Sequence, residues 1–318
     1  MAKTKSIEQL IREKTDRLES IPDAMLSKLE RLQKEIFPVV VDLISTLQRD
    51  SDGFILFNKT NLAISENIRS QLRAALLNSE YVEIVADFAD EFDVQASITD
   101  EYLKKAFPEF VAGGIASDIV KNSKKTAIEI FINGITDEAF ADAISKQITL
   151  AVNNNASFQE TFKTIRQLVV GDDQVDGKIQ QYAQQVAHDQ FALADRAYTS
   201  QVSEQLEAKW FFYSGSEIKT TRPFCGERHN KYYFYKEIEA WGNGQKTQGL
   251  SLPQKNGDWS GKIEGTNEKT IFTNAGGWNC RHSIIPVSIF VVPKEVIQRN
   301  IKEGYFKPSE FEIKELGL

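Results

Sequence analysis

The sequence predicts an α+β fold that is predominantly α: a helical N-terminal bundle or set of extended helices, then a small loop-rich α+β module. Three observations predict it. Apolar residues recur at steps of three and four from the N-terminus to about Lys209, the spacing of one helical face. Beyond Trp210 they gather instead in short aromatic or β-branched runs between glycine-rich turns. All four tryptophans and ten of the eighteen glycines lie between Lys209 and Pro293. That stretch carries 11 Lys+Arg against 7 Asp+Glu, a net of +4, and the rest of the chain carries a net of −11. Composition therefore draws a boundary near residue 208.

The elements follow in order. Ile7, Leu10, Ile11, Leu18, Ile21, Met25, Leu29, Leu32, Ile36, Val39, Leu43 and Leu47 mark a long helical stripe. Pro22 is expected in the first turn of a second helix, and Pro38 at a kink or restart. "RDSDG" (49–53) is a turn, and the run from Asn58 to Phe92 reads as helix with Asn61 or Ser65 as its cap. Pro108 and the Gly113–Gly114 pair break the next helical run. Thr136, before an acidic turn, is the expected N-cap of a helix that "NNNAS" ends. Two further helices cover "SFQETFKTIRQLVVG" and 177–208, with His188 on the longer one. "WFFYSG", "KYYFY", "TIFTN" and "HSIIPVSIFVV" read as strands, and "GNGQKTQG" as a loop without phosphate-loop spacing. The resulting division is a helical region at 1–158, a module at 159–293 whose β-rich, knuckle-like unit spans 209–293, and a C-terminal tail or docking segment at 294–318. The helical half, residues 5 to about 208, with its self-sufficient periodicity, is expected to fold without the β-rich unit.

Composition excludes several classes. With 41% apolar and 26% charged residues the chain is globular rather than disordered. No stretch approaches the twenty or so apolar residues of a membrane span, and the charged N-terminus lacks the apolar core of a signal peptide. A reducing cytoplasm is therefore expected, with no membrane partner. The net charge of −7 argues against indiscriminate nucleic-acid binding.

The sharpest pattern lies in the metal-binding side chains. The chain has only two cysteines and three histidines. Both cysteines and two histidines sit in two short stretches, "RPFCGERHNKYY" (222–233) and "GGWNCRHSIIP" (276–286), as Cys225-x3-His229 and Cys280-x-His282. Two thiolates and two imidazoles form a complete tetrahedral ligand set for structural zinc, and the thiolates cancel its charge. Against this stand small buried cysteines, a surface His229, a core His282, and a Cys225–Cys280 disulfide.

The order of a long helix ending "SEQLEAKWFFYSGSEIKTTRPFCGERHNKYYFYKEI", an insertion, and "GGWNCRHSIIPV" resembles the C-terminal module of the head morphogenesis, Mu F-like, minor head proteins of tailed bacteriophages. In that family a "T-x-x-x-C-x-x-C-x-x-x-x-G-K" stretch precedes "H-P-N-C-R-C" and an apolar strand. Thr221, Cys225 and Lys231 match the first motif, and Asn279, Cys280 and Arg281 the second. His229 and His282 stand where the family often has cysteines, the first pair is one residue wider, and Gly277–Trp278 replaces "H-P". Exchanging Cys for His keeps a metal ligand and abolishes a disulfide, which favours zinc. The resemblance covers roughly residues 160–293; the helical N-terminal half carries no motif of its own.

The resemblance implies a structural, non-enzymatic component of the virion, made in the host cytoplasm. It would act in capsid assembly at the head near the portal vertex, with the portal protein, the major capsid protein and packaged DNA as partners and an oligomer around the portal. A metal-dependent nuclease of the histidine-finger kind is the alternative, invited by "RHN" and "NCRH", but ligation by His229 and His282 leaves the module no general base. A nucleic-acid-binding module stacking bases on "YYFY" is a third reading, weaker than a strand with one face in a core.

Overall fold

The computed structural model describes residues 5–111, 113–247 and 249–318. Helices α1 (Ile7–Ser45), α2 (Lys59–Leu77), α3 (Tyr81–Ala106) and α4 (Gly114–Glu129) come first. A π-helical segment, Ile130–Ala141, runs on into α5 (Asp142–Asn153), followed by α6 (Phe158–Val169) and α7 (Lys178–Gln205). Three strands, β1 (Trp210–Ser214), β2 (Lys231–Phe234) and β3 (Ser283–Val287), alternate with the short helices α8 (Pro223–Gly226), α9 (Tyr235–Gly242) and α10 (Ile271–Asn274). Helices α11 (Lys294–Lys302) and α12 (Glu310–Leu316) close the chain. The fold is thus the predominantly helical α+β class that the sequence predicts. Among the described residues no helix is long and apolar enough to cross a membrane.

The chain forms two compact units, each discontinuous in sequence: Met1–Ser20, Phe92–Ser123 and His188–Leu318 in one, Ile21–Glu91 and Lys124–Ala187 in the other. The sequence boundaries at 158, 208 and 293 do not separate these units, because residue 158 lies within the second and residues 208 and 293 within the first. Composition marks where the β-rich segment begins. It is silent about the helices that share its core.

The second unit is all helical. Ile68, Leu72 and Leu76 of α2 and Ile144 and Ile148 of α5 are fully buried at helical spacing, as are Ile165 and Val169 of α6. The Tyr81 hydroxyl donates to the Phe131 carbonyl at 2.6 Å. Gly134 permits a close approach, since a Cβ there would lie 2.0 Å from the Tyr182 hydroxyl oxygen.

Several local expectations are corrected. Helix α1 continues through both Pro22 and Pro38. Leu18, Met25, Leu29, Leu32, Ile36, Val40 and Ile44 are buried along it, and side chains worth roughly 1.5–3 kcal/mol each outweigh about 3 kcal/mol per interior proline. Beyond Pro38 the buried positions are Val40 and Ile44, leaving Val39 43% exposed. The cap of α2 is Asn58, whose side chain accepts from the Asn61 amide. Asn61 is buried, donating to the Gln48 and Leu56 carbonyls. The helical run breaks at Asn78, between α2 and α3. Thr136 caps nothing: it lies inside the π-helical segment, its hydroxyl donating back to the Ile132 carbonyl. "TIFTN" is the helical turn α10, not a strand.

In the first unit the strands order β2-β1-β3, all antiparallel. Side chains alternate across the sheet, so "WFFYS" serves two cores. Phe211, Tyr213, Tyr233 and Ile284 face a cluster with Phe224, Trp241 and Trp259. Trp210, Phe234 and Val287 face another with Val292, Ile297 and Phe306. Pro286 lies on the edge strand β3, where a missing N–H costs no ladder bond on its open side. "YYFY" is accordingly a strand with aromatic rings in both cores. The 294–318 segment docks instead of trailing: Ile297 is fully buried, and Arg299 and Asn300 bond the buried Glu237 carboxylate at 2.7 and 3.0 Å.

Candidate metal centre

Cys225 lies on the short helix α8, entered through Pro223 at its first turn. The chain leaves α8 through a turn in which the Arg228 and His229 amides donate to the Cys225 carbonyl at 3.0 and 2.8 Å. Cys280 and His282 precede β3 at a spacing of two, which puts both side chains on one side of an extended segment. The turn before them is tightly wound: Ala275, Gly277 and Asn279 all have positive φ, at 44°, 100° and 54°.

These two stretches converge. The Cys225 and Cys280 sulfurs are 3.6 Å apart, and both cysteines are free and buried. Ligand atoms of Cys225, Cys280 and His282 all lie within 4.8 Å of one another, and this buried trio can hold a metal ion. Two sulfurs each about 2.3 Å from a tetrahedral ion stand about 3.8 Å apart, against about 2.05 Å in a disulfide. The observed separation fits the metal edge. His282 Nε2, buried without a hydrogen-bond partner, is the kind of polar atom that an ion would satisfy.

The fourth expected ligand does not join them. His229 lies outside the trio. Its ring centroid is 5.6 Å from that of His282, and its Nε2 is 2.8 Å from the Asn230 side-chain nitrogen.

The surroundings bias the two sulfurs in opposite directions. The hydrogen bond from Cys225 pulls the Cys280 thiol well below its usual range despite complete burial, with Arg196 and His282 adding to the effect. That same bond, together with burial, pushes Cys225 up. The surroundings thus favour the ionised form at Cys280 over Cys225. The Tyr213 hydroxyl also donates to the Cys225 sulfur at 3.4 Å.

Other residues singled out from the sequence support the frame. Asn279 donates its amide to the Asp189 carboxylate, and Arg281 pairs with Glu19 at 3.1 Å. The Thr221 hydroxyl accepts from the Ile218 amide at 2.7 Å, and Lys231 reaches the Glu227 carbonyl at 2.7 Å. His188 lies on α7 near Arg281, with 3.5 Å between its Nε2 and the guanidinium.

Sequence reasoning missed Arg196 and Gly276. Arg196, 1% exposed on α7, donates to the Thr273, Cys280 and His282 carbonyls at 2.6, 2.8 and 3.1 Å. It ties the second stretch to the long helix, and nothing in "LADRAY" announces that. Gly276 had a signal, the glycine pair before "WNC". A Cβ there would lie 2.2 Å from the Cys225 sulfur and 3.0 Å from that of Cys280. Gly276→Ala is therefore expected to force the sulfurs apart at an overpacking cost of about 1–3 kcal/mol. Faster thiol modification of Cys225 and a lower melting temperature would register it; unchanged modification kinetics would contradict the packing.

The chain matches no protein-family model, no curated protein and no solved structure.

Proposed function

We propose that the chain is a structural and assembly protein of a tailed-bacteriophage head, a minor component near the portal vertex, in which zinc clamps the β-rich segment. The observation that carries this reading is the convergence of the two motif stretches: Cys225 and Cys280, 55 residues apart, meet at 3.6 Å in a buried knuckle. The motif order supports the head-protein assignment, and the chemistry of the donors supports zinc. Cys225, Cys280 and His282 would hold the ion, whose role is to cross-link backbone; two thiolates neutralise its charge and allow burial. The portal protein and the major capsid protein are the proposed partners. The basic, aromatic segment is the part proposed to lie towards packaged DNA.

Two measurements test this reading separately. Elemental analysis of the purified chain should return about one zinc per molecule, lost in Cys280→Ser together with stability of the first unit. Quantitative mass spectrometry of purified phage heads should find the chain at a few copies per particle. Its absence from heads at every assembly stage would sink the virion assignment and leave the metal clamp standing.

A further inference from the structure

We propose that an ion held by Cys225, Cys280 and His282 keeps its fourth position open to a neighbouring cavity, and that this position takes a small oxyanion of the phosphate class. The inference rests on the metal reading above. Closed structural zinc sites use four protein ligands, whereas a site with three protein ligands leaves a place for water or an exogenous ligand.

The trio is not sealed by protein. Cys225, Cys280 and His282 themselves line a cavity of about 350 Å³, together with Ser216, Thr220, Thr221, Arg222, Asn279 and Arg281. His229 does not line this cavity but an adjoining one of about 660 Å³, which shares Ser216 with it. The His229 backbone is pinned by the bond to the Cys225 carbonyl, and the next residue, Asn230, has a φ of 56° and donates its amide to Tyr213. His229 holds its Nε2 2.8 Å from the Asn230 side-chain nitrogen, and its Nδ1, buried without a partner, lies outside the trio of ligand atoms.

The lining selects the sign of the ligand. Among the described residues no aspartate or glutamate lines this cavity. Arg222 does, with one N–H on the Trp278 carbonyl and its positive charge close enough to act on the Cys225 thiol and the Asp189 carboxylate. Arg281 adds a second guanidinium, although one paired with Glu19. Thr221 Oγ1 accepts from the Ile218 amide, which leaves its O–H to donate to a ligand. With two thiolates cancelling a divalent ion, Arg222 supplies the charge that an oxyanion would meet. Guanidinium, hydroxyls and an open metal position together recognise tetrahedral oxyanions.

The test uses the full-length chain loaded with Co²⁺, whose visible bands report its ligands. Loading should give a thiolate-to-cobalt charge-transfer band and tetrahedral ligand-field bands. Titrating inorganic phosphate at constant ionic strength should shift the ligand-field bands saturably. Arg222→Ala should weaken that response about tenfold, and His229→Ala should leave both spectrum and response unchanged. Bands indifferent to phosphate, or a cobalt spectrum altered by His229→Ala in a chain that still melts normally, would overturn the open position while keeping the metal site. Failure of the wild-type chain to bind cobalt at all would remove the metal reading itself, and this inference with it.

Discussion

Asp195→Ala should be among the most destabilising single substitutions in the chain, costing about 3–5 kcal/mol. Asp195 and Lys14 form an ion pair whose side chains are 1% and 0% exposed. The Lys14 ammonium has three protons, and it finds three acceptors: Asp195, Thr99 at 2.9 Å and Thr199 at 3.1 Å. Asp195 in turn accepts from Gln95 at 2.9 Å and from Ser283 at 2.6 Å. The network joins α1, α3, α7 and the first residue of β3. Removing the carboxylate strands a buried cation, whereas replacing both partners by apolar residues does not. Lys14→Met with Asp195→Leu should therefore melt far closer to the parent than Asp195→Ala does.

The pH dependence of that variant has a defined sign. Burial already lowers the Lys14 pKa, and Asp195 is the group that raises it back. Without Asp195 the folded state binds a proton at Lys14 less readily than the unfolded chain does. Between the folded pKa and the unfolded value near 10.4, stability must then rise with pH. Thermal melts of Asp195→Ala from neutral to mildly alkaline pH should show a smaller deficit as pH rises. A variant within about 0.5 kcal/mol of the parent would show that the network contributes little.

What could be read in the sequence was whatever periodicity or composition writes directly. The helical stripe, the strands "WFFYS", "KYYF" and "SIIPV", and the convergence of Cys225 with Cys280 and His282 belong to that class. What escaped was set by partners distant along the chain. Pro22 and Pro38 looked like punctuation because local rules carry no information about the burial that keeps α1 continuous. Thr136 had the local signature of a cap, yet the backbone before it was already helical. Cys225-x3-His229 read as a pair, but α8 ends at Gly226 and the turn that follows leaves His229 outside the trio. Nothing local marks Lys14, Asp195 and Arg196; only the tertiary fold shows that all three are buried.

The same distant contacts reverse the expectation that the helical half folds alone. A chain ending at Lys209 should retain the second unit and lose the first. Ile21–Glu91 and Lys124–Ala187 lie wholly upstream of the cut, but the helical parts of the first unit belong to one compact unit with residues beyond it. Without the downstream residues, Arg196 loses the Thr273, Cys280 and His282 carbonyls. Asp195 loses Ser283, the Thr15 hydroxyl loses Ser214, and the Tyr102 hydroxyl loses the Pro286 carbonyl. Each loss leaves a polar group without the partner that made its burial tolerable, at about 1–3 kcal/mol apiece. Several such losses together rival the whole stability of a domain, about 5–15 kcal/mol. Hydrogen exchange on the truncated chain should therefore show protection kept across 21–91 and 124–187, and lost across 7–20, 92–106 and 188–205. Protection retained on α7 beyond His188 would mean that the helical residues hold themselves together, and that the sheet and its knuckle only rest on them.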